Sequence, residues 1–169
     1  MAPNPIAETF LAFSVKRMLL SENDIHRCIE RLTEEQFFHR GAEHENSIAN
    51  LLLHLAGNLR QWVLHGIDNQ PDVRTRDAEF ALDPAATAAE IRFRFANTLA
   101  ECRAVIGSLD IERLLIKTDP QPTGNWGPVT ILEAVYLVVG HLQLHTGQII
   151  LLTKQLTHSD LDLSIPRKR

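Results

Sequence analysis

Two histidines four residues apart, His141 and His145, lie in an apolar run near the end of the chain. At about 100° per residue they point the same way one helical turn apart, near 340° and 20° when Ala134 is at 0°. On that wheel Leu152 falls at about 0° and Gln148 at about 320°, so both imidazoles lie on the apolar seam. A polar ring in such a seam must be hydrogen-bonded or coordinated, because an unsatisfied buried polar group costs roughly 1 to 3 kcal/mol. One metal ion would satisfy both rings. Upstream, His54 lies at about 240° when Ile48 is at 0°, at the border of an apolar arc, with Asn58 near 280°. Taken alone, a border histidine is ordinarily part-exposed or hydrogen-bonded, and only convergence with other imidazoles would make it a ligand.

Other chemistries fail on the residues present. A di-iron carboxylate bundle needs Glu-x-x-His on two helices, and no Glu-x-x-His occurs. A zincin needs His-Glu-x-x-His, and His141-Leu142-Gln143-Leu144-His145 lacks the glutamate that would act as base. His26, His39, His44, His65 and His158 fall on polar faces, in loops or near helix ends and read as solvated. Cys28 and Cys102 are too few for a disulfide framework and lack C-x-x-C spacing; lying on or near apolar seams, they read as inert packing residues in a reducing cytoplasm. With 17 basic against 21 acidic residues there is no basic field for nucleic acid, and Arg167-Lys168-Arg169 reads as a solvated tail. No basic leader opens the chain and its apolar stretches read as too short to span a bilayer, so neither export nor membrane insertion is expected.

The elements that must position these histidines follow from apolar periodicity. Leu11, Val15, Met18, Ile25, Ile29 and Leu32 mark a first helix over about 8–32. Thr33-Glu34-Glu35-Gln36 is a capping box for a short helical turn. Asn46 or Ser47 caps a second helix, Ile48 to Gly66, whose opposite side carries a small apolar stripe of Ala49, Leu53, Gly57 and Leu64 on which a subunit could pack. Residues 66–82 read as a long polar surface loop anchored by Phe80. Asp83-Pro84 opens a third helix with its seam at Ile91, Phe95, Leu99, Cys102 and Ile106, ending near Asp110. After a Pro- and Gly-rich loop that includes Pro122, Gly124 and Trp126, Thr130 to Leu156 forms the fourth helix. No sustained alternation marks a sheet, so 169 residues read as one all-α domain, a four-helix bundle over 1–169 with a short flexible N-terminus. Long loops permit crossovers, and the pattern leaves the topology open.

Two segments carry a resemblance. Asn46-Ser47-Ile48-Ala49-Asn50-Leu51-Leu52-Leu53-His54-Leu55-Ala56-Gly57-Asn58-Leu59-Arg60-Gln61-Trp62 resembles the second helix of the DinB-like metalloenzyme superfamily. Val138-Val139-Gly140-His141-Leu142-Gln143-Leu144-His145-Thr146-Gly147-Gln148-Ile149-Ile150 is similar to its fourth-helix signature of histidine, three residues, histidine, any residue, Gly-Gln. Arg76-Asp77-Ala78-Glu79-Phe80 matches an uncharacterised subgroup. The resemblance implies a bundle in up-down-down-up order, a homodimer, and three histidines holding a divalent metal, commonly nickel or zinc. These ligands map onto His54, His141 and His145. The chain departs at Gly140, where the subgroup often has an acid, and at Leu144, where many members have another histidine; both bear on the partners that orient the imidazoles.

Three imidazoles leave coordination positions open to water or substrate. The resemblance implies a thiol S-transferase in which a low-molecular-weight thiol attacks an electrophile; Asn58 and Gln148, each about one turn from a ligand on a similar face, are placed either to hydrogen-bond a ligand or substrate or to pack as polar residues at the bundle end. The alternatives are a non-catalytic dimeric metal-binding or stress-associated protein, and a hydrolase using metal-activated water.

Overall fold

The computed structural model describes residues 4–81, 85–120 and 127–163; Asp83-Pro84, Pro122, Gly124, Trp126 and the basic C-terminal run lie outside them. The protein is all-α, with four long helices around a common core. Helix α1 (Pro5–Ile29) starts earlier than periodicity indicates, because Asn4 caps it by accepting from the Ala7 amide and Pro5 occupies its first turn. The short α2 (Glu34–Phe38) has the Thr33 and Gln36 capping box. Ser47 caps α3 (Ile48–Leu59), with Asn50 supplying the reciprocal bond in place of Glu or Gln.

Past Leu59 the second helix does not stay α-helical. Arg60–His65 is a π-helical turn that carries Trp62 at the mouth of a cleft described below. Helix α4 (Ala88–Gly107) begins at a Thr87 cap closed by Glu90, correcting the start expected at Asp83-Pro84: two bends precede an extended Thr87. Helix α5 (Ile131–Thr157) starts at a Thr130 cap closed by Glu133. Two two-residue strands, β1 (Lys117–Thr118) and β2 (Val129–Thr130), pair antiparallel and lead into α5, a small exception to the expectation of no sheet.

α1 packs against α4 and α5, and α3 packs against the same two, so α1 and α3 face each other diagonally across the core. Met18, Ile25, Leu52, Leu55, Leu99 and Ala134 fill that core. Every residue of α3 is buried, because α2 and a 3₁₀ segment, Arg76–Phe80, cover the sides that α4 and α5 leave open. The stripe of Ala49, Leu53, Gly57 and Leu64 is therefore internal and is no subunit surface. Exposed apolar side chains include Ile6 and Phe13 on α1 and Tyr136 and Leu144 on α5, with Phe93 on α4. By length and mean hydropathy (1.4) α5 could cross a membrane, but a bundle's core helix meets the same two criteria, and the inner face of α5, from Ala134 to Thr153, packs against the bundle.

Candidate metal centre

His54 projects from the middle of α3, and His141 and His145 project from successive turns of α5. Packing α3 against α5 brings the three Nε2 atoms together: His54 is 3.1 Å and His145 is 3.0 Å from His141. The rings meet edge-on, with centroids 4.4 to 5.0 Å apart, so they aim nitrogens at one point and do not stack. Metal–nitrogen bonds of about 2.05 Å put ligand nitrogens about 3.3 Å apart in tetrahedral and about 2.9 Å apart in octahedral geometry. These two separations fall between those values, and all three ligand atoms lie within 4.8 Å of one another. Among the described residues, these three histidines could hold a metal ion.

Partners on the far ring nitrogens fix which nitrogen is free. His54 Nδ1 lies 2.9 Å from the Glu79 carboxylate, and His145 Nδ1 lies 2.6 Å from Gln148 Oε1. Arg74 Nη2 also lies 3.3 Å from His54 Nδ1, but the shorter contact there is to the carboxylate, which accepts as Gln148 Oε1 does, so both Nδ1 atoms carry the proton and both Nε2 lone pairs face the common point. His141 Nδ1 is buried and has no hydrogen-bond partner among the described residues. Burial, and then the neighbouring His145, His54 and Arg74, push the His141 pKa down to about 3; burial also lowers that of His145. His141 and His145 are therefore held toward the neutral form, the state a metal requires of its imidazole ligands.

Glu79 is the residue that sequence reasoning missed. It sits on the 3₁₀ segment that was read as surface loop, yet it is buried against α3. Arg74 grips it twice, with Nε 2.7 Å from Oε1 and Nη2 2.8 Å from Oε2, and reaches Gln61 Oε1 at 2.9 Å. Burial pushes the Glu79 carboxyl up, but hydrogen bonds from Arg74 and His54 outweigh it and hold the group below its ordinary range. Asn50 buckles the segment to α3 by donating to the carbonyls of Glu79 and Ala81 at 3.0 and 2.9 Å, and Arg40 donates to Phe80 O. Gly57 leaves the room: a Cβ there would stand 2.8 Å from Glu79 Cδ and 3.2 Å from Arg74 Nε. No periodicity links residues 25 apart; the available signal was the subgroup match at Arg76–Phe80.

The centre opens on a cleft of about 320 Å³ lined by His54, Asn58, Trp62, Arg74, Arg76, Leu137, Val138 and His141. The two expected supporting residues thus divide: Gln148 contacts a histidine, and Asn58 lines the cleft. Cys28 and Cys102 are buried away from this cleft, with thiol pKa values raised by burial.

A family model described as "Protein of unknown function (DUF1572)" matches residues 5–169. No curated protein matches the chain.

Proposed function

The chain belongs to the DUF1572 family, and from that premise we propose that it is a DinB-like divalent-metal-dependent enzyme of the thiol S-transferase type. The observation that carries the reading is the convergence of three Nε2 atoms, two of them with tautomers fixed from behind by Glu79 and Gln148, on an open cleft. The diagonal placement of α1 and α3 is compatible with up-down-down-up order. The exposed apolar residues of α1 and α5 offer the face for a homodimer.

A divalent ion at the three histidines, zinc or nickel, would lower the pKa of a thiol and make its sulfur nucleophilic near neutral pH. His54, His141 and His145 hold the position, and Glu79 and Gln148 keep two of the rings in the ligating tautomer. Trp62, Leu137 and Val138 keep water from one side of the cleft. In the overall step the S–H proton passes to solvent, a sulfur electron pair forms the S–C bond, and the C–X bond breaks with its pair leaving on X. Glu79 is not a general base, since both of its oxygens are engaged by Arg74 and His54.

The test begins with elemental analysis of protein purified without a nickel column or chelator, for wild type, His54→Ala and His141→Ala. Near-stoichiometric metal, lost in both variants, is expected, together with thiol-dependent consumption of a chromogenic aryl halide that His141→Ala abolishes without unfolding the protein. Wild-type protein that neither carries metal nor takes up zinc or nickel overturns the reading. Metal without turnover across thiols points to the binding protein, and product formed without thiol points to hydrolysis.

A further inference from the structure

We propose that the cleft beside the three histidines holds the carboxylate of a small anionic ligand, and that Arg76 is the residue that reads it. The inference rests on the proposed metal centre and names the chemical class of the ligand that centre would take.

The walls select charge. Among the described residues no aspartate or glutamate lines the cleft, whereas two arginines do. They are not equivalent. Arg74 is spent: its side chain is 4% exposed, Nε and Nη2 are on Glu79, and Nη1 is on Gln61. Arg76 is exposed and has no carboxylate partner among the described residues. Its guanidinium lies 5.1 Å over the Phe80 ring, and the Phe80 ring centroid is 5.0 Å from that of His54. This cation–π contact holds the guanidinium beside the ring, and its N–H groups, which no carboxylate of the described residues engages, suit a planar carboxylate. One phenyl ring thus spaces the cation from a metal-binding imidazole. Asn58 adds an amide, while Trp62, Leu137 and Val138 give an apolar wall for a short carbon chain. A volume of about 320 Å³ lies at the small end of ligand pockets.

Three thiols with the same two-carbon chain isolate the charge: 3-mercaptopropionate, 2-mercaptoethanol and cysteamine. Calorimetric titration into zinc-loaded wild type should give the tightest binding for 3-mercaptopropionate and the weakest for cysteamine. A bound divalent ion would by itself favour an anion, so the comparison with Arg76→Gln is the test. In that variant the affinity for 3-mercaptopropionate should fall by about three- to fivefold, the worth of one partly screened charge pair. Its affinity for 2-mercaptoethanol should stay within about twofold. Added salt should narrow the wild-type preference and leave the variant's nearly unchanged. An equal preference in wild type and Arg76→Gln overturns the proposal. Failure of the metal centre is a separate result, seen as no zinc uptake or no response to any thiol. In that event propionate titrated into metal-free protein, followed by NMR at the Trp62 indole and the Arg76 side chain, decides the subsite. Saturable shifts lost in Arg76→Gln support it, and no saturable shift in wild type overturns it.

Discussion

Replacing Glu79 by glutamine separates what that residue does for the histidine from what it does for the fold. Glutamine keeps the volume and can still accept from His54 Nδ1, now 2.9 Å from the carboxylate, but the bond loses its charge. A hydrogen bond to a charged partner contributes about 1.5 to 3 kcal/mol and a neutral one about 0.5 to 1.5, a difference near 1.4 kcal/mol or a factor of about ten. Zinc affinity should therefore fall at least tenfold, at the lower end of the 10- to 100-fold range for partners that orient metal ligands. The metal-free protein should also lose stability. Arg74, 4% exposed, would keep Gln61 but lose its carboxylate, and breaking a buried pair from one side costs about 3 to 5 kcal/mol. Competition with a chromophoric chelator reads the first effect and urea unfolding of metal-free protein reads the second. In the double variant Arg74→Met/Glu79→Gln no charge is left unpaired, so stability should largely return while zinc affinity stays low. A folded Glu79→Gln protein that binds zinc within about twofold of wild type would refute the argument that this carboxylate prepares His54.

Gly57→Ala probes the same contact from α3. Helix propensity favours alanine by about 1 kcal/mol, but the new methyl must push Glu79 aside, and overpacking costs about 1 to 3 kcal/mol. Lower stability in urea and weaker zinc binding are expected together; a more stable variant with unchanged affinity would show that the gap is not needed. Glu79, Glu90 and Glu133 all ionise below the ordinary 4.5 in the folded protein, the last two because Thr87 and Thr130 donate backbone and side-chain hydrogen bonds to them. Since the folded values lie below the unfolded one, the stability these groups contribute is complete above about pH 4.5 and is lost as pH falls through the folded values. The urea midpoint should drop with acidification in that window, and a flat profile would remove the capping boxes from the account. Cys28 and Cys102, fully buried with raised thiol pKa values, should both resist a thiol reagent in native protein and react once urea unfolds it. Rapid labelling of either in native protein would contradict their burial.

The part of the site carried by regular helices was legible in the sequence. His141 and His145 follow from one period on one helix, and their shared face needs no tertiary information. Ser47, Thr33 and their capping partners were equally local. His54 could be placed on a face, but its convergence with the other two depends on α3 packing against α5, which periodicity does not encode. The loop was the larger loss. Residues 66–82 are polar because Asp68, Asp72 and Asp77 face water or local donors, and that composition conceals the inward turn of Glu79. Burial of that acid is tolerable only because Arg74 and His54 donate to it, a compensation visible only after folding. The apolar stripe on α3 failed for a related reason: a wheel shows that a second face is apolar, and only the fold shows that a 3₁₀ segment covers it.

The position of Glu79 also bears on whether the centre is built to be closed or left open. A buried carboxylate within reach of a histidine cluster could have served as a fourth ligand, yet it lies at His54 Nδ1, the nitrogen remote from the point where the three Nε2 atoms meet. Its charge is matched there by Arg74, so the acid and the cation cancel. An imidazole that ligates a metal does so in its neutral form. A divalent ion at that point would keep its two positive charges, unlike one in a closed site of several thiolates whose ligands offset them. In a half-buried site that uncompensated charge would attract an anion more strongly than in water, and the cleft beside it has Arg76 and, among the described residues, no acid on its walls. Asp72, the acid nearest in sequence to Arg74, accepts from the Arg74 amide and from Gln61 instead. The carboxylate at the cluster thus stands behind His54 and leaves the front clear, so under the proposed function the coordination of a bound ion would be completed by an exchangeable ligand, an arrangement suited to binding and turnover rather than to sealing a structural ion.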